Sequence, residues 1–249
     1  MDKTLKYKFK RFEFKYIISN KFKEKILIDL MPYLRLDRYA SMSKSKAYPV
    51  KSLYFDNKSF SSYHEKIDGL INRYKYRIRS YSFNKNSISP FFIESKGRFN
   101  NLVYKNREQL IDFQNVIKSL SGNDINKFIM NTNPHSSLIA KFTKDNYIKR
   151  MRPIALIDYS RSPYYSEYDT SFRLTIDSDI KVTESNTMFP DNYMTKKMLN
   201  GMSVMEVKFE RHIPTWFHKT IEKYNLNRIS ISKICKGLET LGYVSDDGE

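Results

Sequence analysis

RYKYRIRSY, residues 73–81, sets Arg73, Lys75, Arg77 and Arg79 on one face of an extended segment and Tyr74, Tyr76 and Ile78 on the other. The same alternation recurs three times. Residues 9–16 oppose Arg11, Glu13 and Lys15 to Phe12, Phe14 and Tyr16; residues 91–98 oppose Glu94, Lys96 and Arg98 to Phe91, Ile93 and Ser95; residues 203–210 oppose Glu206, Lys208 and Glu210 to Met205, Val207 and Phe209. Less regular strands are expected at 50–56, 154–161 and 171–179, where Arg173, Thr175, Asp177 and Asp179 share a face.

A charged face on a half-buried sheet ordinarily meets water. Two features favour an enclosed face instead. Four cations within about 20 Å of one strand repel one another unless an anion is bound. The opposite faces are strongly aromatic and need cover, which helices can supply. These are expected at 20–31, where Phe22, Ile26 and Leu30 recur, at 214–225 behind Pro214, and at 232–241. A helical insertion is expected over 106–150, with Leu110, Phe113, Ile117 and Leu120 at helical spacing, then Asn133–Pro134, then an amphipathic stretch from Ser137 to Lys149. The expected fold is α+β: an antiparallel sheet closed into a tunnel with a charged interior and helices packed outside. No linker or repeat divides the chain, so a single domain over 1–249 is expected.

The 249 residues carry a formal net charge of +17 with 40% hydrophobic and 15% aromatic content, ample for a core. The charge is uneven: residues 1–105 hold 24 Lys and Arg against 9 Asp and Glu, the remainder 20 against 18. Such a field attracts phosphate-rich partners. A lone cysteine, Cys235, excludes an internal disulfide and a thiolate metal cluster, and packing on a helix is its plain role. The N-terminus has no signal-peptide core and no segment nears the roughly 18 apolar residues of a membrane span, so a cytoplasmic protein is expected. Neither GxxxxGK[ST] nor GxGxxG occurs. His64, His135, His212 and His218 lack zinc spacing, and Trp216 reads as a helix anchor. Nucleic acid is not the expected partner, because carboxylates share the basic faces and repel a nucleic-acid backbone.

The order of motifs resembles the VTC polyphosphate-polymerase domain, a branch of the triphosphate tunnel metalloenzymes together with the CYTH family. The matching stretches are FEFKY (12–16), SLYFD (52–56), YHEKIDG (63–69), RYKYRIRSY (73–81), FIESKGR (92–98), IDYSRSPY (157–164), FRLTID (172–177), MEVKF (205–209) and ISKICKG (231–237). The resemblance implies an eight-stranded antiparallel tunnel that binds ATP, inorganic triphosphate or polyphosphate and uses Mn2+ or Mg2+. It implies phosphate contacts from Lys15, Lys66, Arg77, Arg79, Lys96, Arg161 and Arg173, with Lys208 and Lys233 completing the basic lining and Ser232, Arg98 and Lys105 beside it. Glu206 would be the main metal ligand. Glu13, Glu94 and Asp177 are further metal candidates, or else partners in internal ion pairs. Tyr159 is either a phosphate hydrogen-bond donor or a core residue. Lys15, Arg77, Arg79 and Glu206 are the candidate catalytic groups. Arg11 stands where CYTH proteins have the first acid of ExExK, which fits the polymerase branch; Ser230 stands where the eukaryotic polymerase would have lysine. The expected activity is transfer of the ATP γ-phosphate to a polyphosphate chain, with triphosphate hydrolysis and non-catalytic polyphosphate or nucleotide binding as alternatives, and a membrane partner left open.

Overall fold

The protein is described by a computed structural model covering residues 12–84, 89–100, 102–113, 117, 120–133, 135–191 and 193–245. Arg11 lies outside these residues. Eleven strands and seven helices are present among the described residues.

The strands are β1 (Phe12–Ser19), β2 (Leu34–Leu36), β3 (Tyr48–Asp56), β4 (Asn72–Ser80), β5 (Phe92–Phe99), β6 (Leu102–Gln109), β7 (Arg152–Ser166), β8 (Arg173–Glu184), β9 (Thr195–Lys197), β10 (Met202–Phe209) and β11 (Arg228–Ile229). The helices are α1 (Asn20–Leu30), α2 (Arg38–Ser41), α3 (Ser61–Ile67), α4 (Gly122–Thr132), α5 (Ser137–Lys149), α6 (Thr215–Lys223) and α7 (Lys233–Leu241). All seven segments expected to be strands are strands over their described residues, with 9–11 of the segment 9–16 lying outside these. The expected eight-strand count is exceeded, chiefly by β2, β9 and β11 of two or three residues each. Pairing follows β11-β1-β10-β8-β7-β3-β4-β5-β6, with β2 on β7 and β9 on β8; this path is open, so closure into a tunnel is not among the pairings described.

The chain forms two compact units. Unit one comprises residues 1–47, 161–178 and 201–230; unit two comprises 48–160, 179–200 and 231–249. Strands β7 and β8 contribute one part of their length to each.

In unit one, β1 pairs antiparallel with β10, and β10 with β8. The apolar face that the sequence assigns to 12–16 and 203–210 becomes its core: Tyr16, Ile18, Leu174, Ile176, Met205 and Val207 pack with Ile26 and Leu30 of α1 and Phe217 of α6. Helix α1 starts where Ser19 Oγ accepts a bond from the Lys21 amide, satisfying one of the free first-turn donors. Pro214 occupies the N-cap of α6.

In unit two, β3, β4, β5 and β6 form a continuous antiparallel ladder. Its outer face carries Leu53, Phe55, Tyr76, Ile78 and Ile93, covered by Ile125 and Ile129 of α4 and Leu138, Ile139 and Phe142 of α5. Phe142 meets Phe55 and Tyr76 edge-on, with centroids 5.4 and 5.2 Å away. Asp145 of α5 accepts hydrogen bonds from the hydroxyls of Tyr74 (2.9 Å) and Tyr76 (2.6 Å). The aromatic face of RYKYRIRSY is thereby committed to the helices, which leaves its cations on the other face. Burial, and then the Asp145 contact, also push the Tyr74 and Tyr76 hydroxyls well above the usual phenol range.

The expected helical insertion begins too early. Residues 106–109 belong to β6, which pairs with β5 along its whole length, and α4 covers Gly122–Thr132. Leu110, Phe113 and Ile117 are buried as their spacing suggests, while residues 114–116 and 118–119 lie outside the described residues. Gly97 opposes Tyr104 in the β5–β6 ladder, and a Cβ there would lie 2.2 Å from the Tyr104 ring, so a larger residue would force that ring to move. No helix among the described residues is long and apolar enough to cross a membrane.

Candidate functional site

The charged face of unit two is ordered in rows by strand register. Arg77 of β4, Glu94 of β5 and Arg107 of β6 stand opposite one another, as do Lys75, Lys96 and Lys105 one pleat further along. Arg73 opposes Arg98 in the next row. Like charges directly across a ladder destabilise it, so these rows call for anions.

Glu94 is the one carboxylate at the centre of this face and is fully buried. Arg77 donates to its Oε2 from Nε (2.8 Å) and Nη2 (2.7 Å), and Arg79 Nη1 lies 3.8 Å from the same oxygen. Lys105 Nζ lies 2.8 Å and Arg107 Nε 3.5 Å from Oε1. Four cations surround one carboxylate, and two of them, Arg77 and Arg79, are largely desolvated, which is costly for their excess charge without a bound anion. Burial alone would raise the Glu94 pKa; the fields of Arg77 and Arg79 and the Lys105 contact overcome it and hold the carboxyl at about 2.

Polar neighbours fix the arginine forks. Arg77 Nη1 donates to Tyr54 Oη (2.8 Å), while Arg79 donates from Nε to Ser52 Oγ and from Nη2 to Tyr159 Oη, each at 3.2 Å. Tyr54 is buried, which would raise its pKa, but Arg77, Arg79 and Lys233 lower it below the usual value. Lys233 lies over the Tyr159 ring at 5.0 Å, and Lys75 Nζ donates to Cys235 Sγ at 2.8 Å, so both helix α7 residues join this face. The N-cap residue Ser232 makes no side-chain cap bond. Gly237 admits α7 close to β8: a Cβ there would lie 3.1 Å from Val182. Lys66 on α3 and exposed Arg98 contribute no ion pair to the Glu94 cluster.

Unit one is balanced differently. Glu13 lies 3.3 Å from Lys15 and 3.9 Å from Lys208, and Glu206 Oε1 lies 2.8 Å from Lys208 Nζ. The register places Lys15 opposite Glu206 and Glu13 opposite Lys208, so the two acids lie diagonally on one face. Arg161 grips Asp177 through two bonds of 2.6 and 2.8 Å. A cavity of about 250 Å³ is lined by Arg173, Thr175, Glu206, Lys208, Asp37 and Tyr165, among others.

A hard divalent cation bound with phosphates needs one or two carboxylates and keeps several waters. Glu206 and Glu13 meet that requirement, with Glu206 facing the cavity. Glu94 is enclosed by cations and both oxygens of Asp177 are held by Arg161, so neither suits a metal. Among the described residues no three His, Cys, Asp or Glu side chains gather as a metal cluster.

A family model described as VTC domain matches residues 10–242. The chain belongs to the VTC domain family. No curated protein matches this VTC chain. Among solved structures, a candidate adenylate cyclase from Bacillus halodurans shares the fold at a TM-score of 0.53 and 12% identity, covering 88% of the VTC chain and 92% of its own. The PH1819 protein from Pyrococcus horikoshii OT3 aligns at a TM-score of 0.40 and 13% identity, with 93% and 91% covered.

Arg107, Tyr54 and Ser52 are neighbours of the Glu94 cluster that have no expected role in the sequence, whereas Thr175, expected on one face with Arg173, lines the cavity with it. Arg107 could have been found, because Val103, Lys105 and Arg107 alternate in continuation of the motif at 92–98.

Proposed function

We propose that this VTC chain is a metal-dependent polyphosphate polymerase that moves the γ-phosphoryl group of ATP onto a terminal oxygen of a polyphosphate chain, releasing ADP. The observation that carries the phosphate reading is the buried Glu94 ringed by Arg77, Arg79, Lys105 and Arg107. Phosphoryl transfer asks the protein for positioning and charge neutralisation rather than covalent chemistry, and fixed guanidinium forks provide both. Membership of the VTC family favours transfer to polyphosphate over transfer to water.

In this reading Arg77, Arg79, Lys96, Lys105 and Arg107 grip phosphate oxygens, and Tyr54, Ser52 and Tyr159 hold the two arginines in place. Lys233 and Ser232 extend the grip from α7. Glu206 and Glu13 are the residues that would hold Mn2+ or Mg2+, whose chemistry is to neutralise charge on the phosphates. Lys15, Lys208, Arg161 and Arg173 give unit one its own phosphate contacts, while Glu94 and Asp177 serve as counter-charges. Each unit's charged face is a phosphate-binding face, and residues 1–249 act as one cytoplasmic catalytic domain.

Incubation of the purified protein with ATP and Mn2+, followed by gel analysis of products, is expected to yield long-chain polyphosphate and ADP. Orthophosphate instead would identify a hydrolase, and intact ATP would leave a binding module.

A further inference from the structure

The unit-one cavity holds an acid that comes from outside the alternating strands. Short strand β2 pairs with β7, setting Leu36 opposite Tyr164, and the amide of the next residue, Asp37, continues that ladder by donating to the Pro163 carbonyl at 2.9 Å. The register fixes half-buried Asp37 at the cavity wall, where Arg173 and Thr175 of β8 and Glu206 and Lys208 of β10 line the same space.

Asp37 has a plain role as well: its Oδ1 accepts from the Tyr39 amide at 3.0 Å and caps α2. A cap needs one acceptor oxygen and no charge, and Asn or Ser serves equally. A second carboxylate on the cavity that holds Glu206 adds like-charge repulsion that a neutral cap would avoid, and a cation between the two turns the repulsion into attraction. Thr175 gives an independent sign. It stands opposite Glu206 in the β8–β10 ladder, and its Oγ1 is buried without a hydrogen-bond partner, a costly state that a ligand or its water relieves. Two carboxylates and a neutral hydroxyl are the oxygen donors that suit a hard divalent cation keeping several waters. The cavity of about 250 Å³ has room for such a hydrated cation and one phosphate group, at about 30 Å³ per water. Arg173 and Lys208 supply the positive charge for that phosphate.

We propose that Asp37 is a ligand of the divalent cation, sharing it with Glu206 across the cavity, with Thr175 Oγ1 bound directly or through water. This rests on the metal-dependent reading above and adds to it a carboxylate set in place by β2.

The assignment is tested by measuring Mn2+ binding to the full chain from the EPR signal of free Mn2+, with nucleotide and phosphate omitted, in the wild type, Asp37→Asn and Glu206→Gln. Asparagine keeps the cap and removes the charge, and urea unfolding without metal compares the folds. Asp37→Asn is expected to unfold at the wild-type urea midpoint and to bind Mn2+ about tenfold more weakly or worse, as is Glu206→Gln, because each loses one of two anionic ligands. Wild-type Mn2+ affinity in Asp37→Asn beside a loss in Glu206→Gln reduces Asp37 to a cap and leaves the metal reading standing. A lowered urea midpoint in Asp37→Asn assigns the charge to a structural partner and overturns the proposal in the same way. Unchanged affinity in Glu206→Gln, or a wild type that binds no Mn2+, overturns the shared site and the metal reading together.

Discussion

The two units treat their carboxylates in opposite ways. In unit two one fully buried acid, Glu94, is outnumbered by four cations, two of them arginines with fixed hydrogen-bond partners. In unit one Glu13 and Glu206 are matched by Lys15 and Lys208, and the Lys208 side chain is 40% exposed. An exposed ammonium leaves a carboxylate at small cost, so a metal can replace it. Around Glu94 the two largely buried cations, Arg77 and Arg79, cannot leave without exposing a buried charge, while Lys105 and Arg107 are 43% and 36% exposed. A net charge of +17 is thus divided into a rigid anion grip and an exchangeable acid–lysine set.

The sharpest way to break this contrast is to exchange the roles. Arg77→Ala with Arg79→Ala leaves Lys105 and Arg107 to neutralise Glu94, and is expected to weaken triphosphate binding by about a hundredfold or more, from the loss of two charged hydrogen-bond donors. Glu206→Gln is expected to hold that affinity within about threefold while abolishing metal-dependent turnover. Calorimetry beside the ATP assay separates the two, and a comparable loss of anion affinity in Glu206→Gln would erase the distinction.

Acid sharpens it next. The folded Glu94 carboxyl is held at about 2, below its ordinary 4.5, so its contribution is present above pH 4.5 and is lost as pH falls towards 2. The shift corresponds to roughly 3 kcal/mol of folding free energy as an order of magnitude. Urea unfolding at pH 7 and pH 3 is expected to show this loss in the wild type and a shallower one in Glu94→Gln, which starts less stable at pH 7. Parallel pH slopes in the two proteins would show that Glu94 ionisation is not coupled to folding.

The smallest expected effect lies in unit one. Thr175 Oγ1 is buried without a hydrogen-bond partner beside Glu206. Thr175→Val should change stability by less than about 1 kcal/mol, since no internal bond is lost, and lower metal-dependent turnover a few-fold. A larger stability loss would assign the hydroxyl a structural partner instead of a place in the cavity.

Much of the fold was legible because charge and rings alternate on strands buried on one side. Residues 12–16, 73–79, 92–98 and 205–209 each carry both signals, and all are strands. Strand β6 was hidden because its outer face reads Tyr104, Asn106 and Glu108 and shows no apolar alternation. Two-residue β11 and three-residue β2 and β9 are too short for periodicity to register. The members of the charged faces were legible, but not their partners. Nothing in the sequence of β5 says that Glu94 meets Arg77 rather than its neighbour Lys96, because cross-strand register depends on turns and on the fit of both faces.

The row Lys75–Lys96–Lys105 bears on the bench as well as the cell. On the proposed phosphate reading, lysines brought into register recruit a polyanion from solution, and mass action then raises the apparent stability of the fold. On that reading sulfate or phosphate buffer competes for such a row rather than being an inert medium. Affinities for this protein acquire meaning only with the salt stated, and the slope of log Kd against log salt counts the ions displaced.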